Sequence, residues 1–172
     1  MTKPEFIRLL EIHQQWFPGS CAASGMELIL KFHKKKDPDW FGFQSEFQNE
    51  NIGWKKIERL KDFGILATNS QCDLDTFLAK LENQSIPHRL MLFSLPTLGF
   101  LNLIYGTLVG IGPEYHIFLA AKFDQKSIFV SKQFLNLKII DVPDLRRTYD
   151  LIHQVDSQYL IDTLTYELLP VA

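Results

Sequence analysis

The sequence predicts an α+β fold, and three observations carry that expectation. Apolar residues recur at helical spacing through most of the first half of the chain. From residue 105 onward, short apolar runs bounded by turn residues take over, which is the pattern of strands in hairpins. A run of helices followed by a run of strands is the order of an α+β rather than an alternating α/β architecture. The third observation is composition: 46% apolar and 22% charged residues, with 14 Phe, 5 Tyr and 3 Trp, provide enough large rings for a packed core and exclude intrinsic disorder. With 172 residues and no repeat or low-complexity linker, the chain is expected to be one domain, 1–172.

Taken in order, residues 4–13 carry Phe6, Ile7, Leu9, Leu10 and Ile12 and predict a short amphipathic helix. Residues 14–19 form a loop closed by Pro18-Gly19, and Ser20 is placed to cap a helix over 21–32. Ala22, Ala23, Met26, Ile29, Leu30 and Phe32 give that helix its apolar face. The Lys34-Lys35-Lys36 run beyond its end offsets the helix dipole and favours solvent rather than a phosphate or lipid. An aromatic loop follows over 37–51, with room for a helical turn. A helix opened by Asn51 or Gly53 and running through Ile57, Leu60 and Phe63 is expected to stop at Gly64, with a short strand at 65–68. Asp73 opens another helix, with Phe77, Leu78 and Leu81 on one face, that ends before Pro87.

In the second half, 105–111 and 116–123 read as strands. Asp124-Gln125-Lys126 is a turn into a third strand at 127–131, and 135–142 is a fourth. Residues 144–169 hold one helix around Leu151, Ile152 and Val155, then a last strand or helix. Asp144-Leu145-Arg146-Arg147 is a solvated helix start.

Charge and targeting signals narrow the function classes. A net charge of −2 provides no basic field, so no nucleic-acid partner is expected. Glu5 and Arg8 interrupt the apolar run a secretory signal needs, so the expected location is cytoplasmic, or outside the cell by export without a cleavable signal. Residues 90–112 carry no charge and are long enough to span a bilayer, but Pro96, Gly99, Gly106, Gly110 and Gly112 favour buried strands, and no membrane span is expected. Cys21 and Cys72 are expected to be thiols, and no Cys/His spacing suggests a metal or other cofactor.

The informative stretch is Gln15-Trp16-Phe17-Pro18-Gly19-Ser20-Cys21. It places a cysteine on the first turn of a predicted helix, where open N–H groups and the positive dipole end favour a thiolate. Gln15 is an amide six residues earlier that can join the Cys21 N–H in stabilising an oxyanion. His116, opening the apolar run at 116–123, is the candidate proton partner, and His13 is an alternative base. Trp16 and Ser20 are candidates to line a substrate cleft, with packing under the loop an equal alternative for Trp16. Trp40, Phe41, Phe43, Phe47 and Trp54 resemble a binding wall but are read first as core. His33, His88 and His153 are read as surface or satisfied core histidines, and Cys72 as structural.

Gln-x5-Cys opening a helix, with a later His opening a strand in a hairpin, resembles the papain-like cysteine peptidases. Within these the pattern is most similar to the bacteriocin-processing, double-glycine leader peptidases and their free-standing bacterial relatives. The resemblance spans residues 15–132 and implies a papain-like fold, with the helix of the nucleophile packed on a C-terminal antiparallel sheet. It also implies peptidase or amidase activity on a peptide or protein substrate, with Cys21 as nucleophile, His116 as general base and Gln15 as oxyanion donor. Two residues depart from the family pattern. Ala22 stands where glycine is usual. Lys132 stands about where an Asp or Asn would orient the histidine, and an ammonium cannot accept from an imidazole. Gln133 ranks first as substitute, ahead of Asp141, and a pair without a third member is also open. Deamidases and acyl or peptidyl transferases, including bacterial effectors, share the same spacing. A degenerate peptide-binding module also fits, with Lys132 as the feature in its favour.

Overall fold

A computed structural model describes residues 3–14, 16–17, 21–35, 39–46, 57–82, 91–96, 115–122, 127–130 and 138–170. Three helices come first: α1 (Lys3–Ile12), α2 (Cys21–Phe32) and α3 (Trp40–Ser45). A 3-10 helix (Ile57–Phe63), β1 (Ile65–Cys72), α4 (Leu74–Glu82) and β2 (Met91–Pro96) follow. The chain continues through β3 (Tyr115–Lys122), β4 (Ser127–Val130), β5 (Lys138–Asp141), α5 (Val142–Val155) and β6 (Ile161–Leu168).

Local chemistry explains where several elements begin and end. Asp39 accepts the Gly42 N–H (2.8 Å) at the start of α3, and Asp73 accepts the Thr76 N–H (2.8 Å) at the start of α4; each is an N-cap. Pro143 sits at the beginning of α5, where its missing N–H costs nothing. Gly64 ends the 3-10 helix at φ +75°, a conformation a Cβ makes costly, and its carbonyl accepts the Leu169 N–H (2.8 Å).

The six strands form one antiparallel sheet in the order β1-β6-β2-β3-β4-β5. The α+β expectation holds, and two of its details are corrected. The sheet is not confined to the second half, because β1 runs to Cys72 rather than 68 and forms an edge. The last strand, β6, then inserts between β1 and β2. The helix expected to open at 51–53 is described only as the 3-10 helix from Ile57. The strand expected at 105–111 lies outside the described residues. Of the uncharged stretch 90–112, residues 91–96 are β2 and the rest also lies outside them. Among the described residues, no helix is long and apolar enough to cross a membrane.

Helices cover both faces of the sheet. Residues paired directly across an antiparallel ladder share a face. One face carries Ile65, Ala67, Leu164 and Tyr166, which form a single cluster with α2, and α2 also packs on β3. At its far end His33 Nε2 meets Tyr166 Oη at 2.7 Å. The other face carries Ser70, Cys72, Ile161 and Thr163. There α4 packs on β3 and β6, and Lys80 donates to Ser70 Oγ (3.0 Å). Arg146 of α5 reaches Asp75 of α4 at 2.8 Å.

The centre of α2 is buried on every side: Ala23, Met26, Leu28, Ile29 and Leu30 are all 0% exposed. Burying each of the four larger side chains is worth about 1.5–3 kcal/mol, so together they rival the whole net stability of an ordinary domain. His13, just past α1, is buried against this helix, with Nε2 2.6 Å from Ser24 Oγ. Burial and then Lys31 lower its pKa from 6.5 to about 3. Burial and Lys35 likewise lower that of His33 to about 4.

A histidine whose folded pKa is depressed takes up protons more readily when unfolded, so stability falls as pH drops below 6.5 and continues to fall towards the folded value. For His13 the loss by pH 5 is on the order of 2 kcal/mol. Denaturant unfolding at pH 7 and pH 5 is therefore expected to show a wild-type loss larger by about that amount than the loss in His13→Gln. His33 is present in both proteins and cancels. Equal losses in the two proteins would mean that His13 is not held neutral.

Candidate functional site

Cys21 is the first residue of α2, half-buried and packed against the edge of the core, so the placement of a cysteine at a helix start stands. Its N–H belongs to the first turn, where backbone donors have no acceptor within the helix. Cys72 ends β1 and is 7% exposed, and burial raises its thiol pKa. Neither cysteine is in a disulfide.

The segment leading to Cys21 is held from below by a buried polar network. Gln44, the fifth residue of α3, is 0% exposed. Its Nε2 donates to the Gln14 carbonyl (2.9 Å), and its Oε1 accepts the Trp16 N–H (2.9 Å). The same Nε2 donates to Glu27 Oε2 at 2.5 Å, and Lys31 Nζ lies 2.7 Å from Glu27 Oε1. Glu27 is 1% exposed, and both its oxygens are engaged. The orientation of the Gln44 amide follows from its neighbours: a carbonyl and a carboxylate demand the NH2, and an N–H demands the oxygen.

The expected aromatic wall divides. Phe43 is in the core at 2% exposed, and Trp40 lies between Phe43 (6.1 Å) and the Lys31 ammonium (5.3 Å). Phe41 points out at 54% exposed and meets Trp16 edge-on (5.7 Å) and Phe17 (5.1 Å). Trp16 is 46% exposed, so these rings form an apolar lip on the approach to α2. Phe47 and Trp54 lie outside the described residues, as do Gln15, Ser20, Lys132 and Gln133.

His116 is the second residue of β3, paired with Leu95 of β2. Along the same ladders Leu119 pairs with Leu92, which pairs with Leu164 of β6, so β2 lies between β3 and β6. Asp141 pairs with Ser127, past the level of the Lys122–Ile128 pair. His116 is six residues from Lys122, about 20 Å along the strand, so Asp141 is removed as a partner for it. His13 is also removed as a base, because a pKa near 3 leaves too little affinity for a thiol proton. His13, His33 and His153 all have hydrogen-bond partners, as expected of structural histidines; His88 lies outside the described residues.

Glu27 and Gln44 were not singled out from the sequence. For Glu27 a signal was present: a lone acid between Met26 and Leu28, within a helix apolar on every side, has to be buried and paired. Among the described residues, no group of three His, Cys, Asp or Glu could hold a metal ion. No protein-family model matches the sequence, and no curated protein is similar to it.

The deeper burial of Cys72 and its raised thiol pKa separate the two thiols. Iodoacetamide at pH 7.5, scored by peptide mapping, is expected to alkylate Cys21 at least about tenfold faster than Cys72. Equal rates would contradict the burial of Cys72.

Proposed function

We propose that the chain is a cysteine-dependent hydrolase of amide bonds with a papain-like arrangement. The supporting observation is that Cys21 opens α2, and α2 packs on β3, the strand that holds His116. In this reading Cys21 Sγ attacks the substrate carbonyl carbon, while Gln15 and the Cys21 N–H take the oxyanion. His116 receives the thiol proton and passes it to the leaving amine, with Gln133 as the acceptor that orients its ring. Water then releases the acyl group and restores the thiol. The lip of Trp16, Phe17 and Phe41 receives the substrate chain, so a peptide or protein with apolar side chains near the bond is the expected substrate.

A second reading is a catalytically degenerate module that keeps the cleft for peptide binding; Lys132, standing in sequence about where the family pattern has an Asp or Asn, is the feature that favours it.

Incubation with a mixture of peptides and folded proteins, read by mass spectrometry, separates the two. Hydrolysis gives two fragments whose masses sum to the substrate plus one water. Deamidation of a glutamine side chain releases ammonia and leaves one uncut chain of slightly altered mass, whereas transfer joins the acyl part to the incoming amine and releases the displaced amine or peptide; both keep the nucleophile. The hydrolase reading expects cleavage that is lost in Cys21→Ser and falls about a hundredfold or more in His116→Ala. Peptide binding without turnover, unchanged in both variants, would replace it with the binding module.

A further inference from the structure

We infer that Gln44 is a positioning residue for the oxyanion donor, an inference that rests on the hydrolase reading. Its amide grips the chain on both sides of Gln15, taking the Trp16 N–H and donating to the Gln14 carbonyl, both at 2.9 Å. Two bonds to residues i and i+2 are the grip one strand has on its neighbour, and here they hold Gln14 and Trp16, the residues on either side of Gln15 in sequence. Gripping the segment is not enough; it must be held relative to the nucleophile. Glu27 provides that link. It lies on α2 six residues after Cys21 and accepts the remaining Gln44 N–H at 2.5 Å. Lys31 closes its other oxygen at 2.7 Å. Cys21, Glu27, Gln44 and the chain at Gln14 and Trp16 are thus joined by one helix and three hydrogen bonds, of which the Gln44–Glu27 bond is buried and the two to Gln14 and Trp16 are part-buried.

An ordinary structural role would need only that these buried polar groups be satisfied. The inference asks for more: the network sets where an oxyanion donor stands, so its loss should slow steps that pass through an oxyanion and spare steps that do not. Two small reagents make the distinction. Iodoacetamide is attacked by the Cys21 thiolate at saturated carbon, iodide leaves, and no oxyanion forms. With p-nitrophenyl acetate, the thiolate adds to the acetyl carbonyl through an oxyanion, then p-nitrophenolate leaves and an acetyl thioester remains.

In Gln44→Met, acylation by p-nitrophenyl acetate is expected to fall about a hundredfold, while the alkylation rate and its pH profile stay within about twofold of wild type. Gln15→Ala should lose the same factor, and Gln15→Ala/Gln44→Met no more than either single variant, because both remove one function. The exchange Glu27→Gln/Gln44→Glu guards against a Gln44→Met protein that fails to fold. It keeps the bond between α2 and α3 but leaves the Gln14 carbonyl without its donor, and it should lose acylation in the same way. Equal loss of acylation and alkylation, multiplying effects of Gln15 and Gln44, or an unchanged acylation rate in folded variants would overturn the inference and leave the hydrolase reading standing. A wild-type Cys21 that acylates no faster than a free thiol would end the hydrolase reading, and this inference with it.

Discussion

The structure turns on a helix buried along its whole middle. Once Ala23, Met26, Leu28, Ile29 and Leu30 are all sealed from water, α2 cannot be only a surface helix with one apolar stripe; it needs cover on every side. The sheet rows of Leu164 and Tyr166 provide one side, α1 and α3 the others. This cover places Glu27, a carboxylate, where water cannot solvate it. The cost of an unpaired buried charge is several kcal/mol, and that cost makes the bonds to Lys31 and Gln44 obligatory rather than incidental. Gln44 in turn has a second N–H and a carbonyl to satisfy, and the segment before α2 satisfies them. The path from core to candidate site is thus a chain of satisfied polar groups that begins with one acid in an apolar helix.

The sheet sets the second constraint. Since paired residues share a face, the pairing of β1 with β6 decides which of their residues meet α2 and which lie on the α4 side. The two cysteines stand in different surroundings: Cys72, sealed on the α4 side beside Thr163, has its thiol pKa raised by burial, whereas Cys21 sits half-buried at the start of α2. Nucleophilic chemistry, if the chain performs it, belongs to the α2 face.

Much of this was legible in the residues because much of it is local. The bounds of α2 follow from the helix-breaking Pro18-Gly19 in the sequence and the apolar spacing after it. The starts of α4 and α3 follow from acids that cap their own next turns. The hairpin of β3 and β4 follows from polar residues between two apolar runs. What was not legible is non-local. Asn69, Ser70 and Gln71 look like a loop, yet they extend β1, because an edge strand tolerates polar side chains where a central one does not. Nothing near residue 161 indicates that β6 returns to lie between the first two strands. For the candidate site, the position of Cys21 was local and stands, while the pairing of β3, which holds His116, with β2 is non-local. Gln44 was hidden for the same reason: its partners lie 17 to 30 residues away.

The central claim is that Cys21 and a histidine form a reactive pair, and the pH dependence of Cys21 alkylation tests it most directly. Rates with iodoacetamide from pH 5 to pH 10, mapped to Cys21, are compared between wild type and His116→Ala. A thiolate–imidazolium pair predicts rapid alkylation already near pH 6 that His116→Ala abolishes, shifting the profile up towards an ordinary thiol at about 8.5. A wild-type profile with its midpoint already near that value, unchanged in His116→Ala, would contradict the account and leave the aromatic lip, not the thiol, as the functional feature.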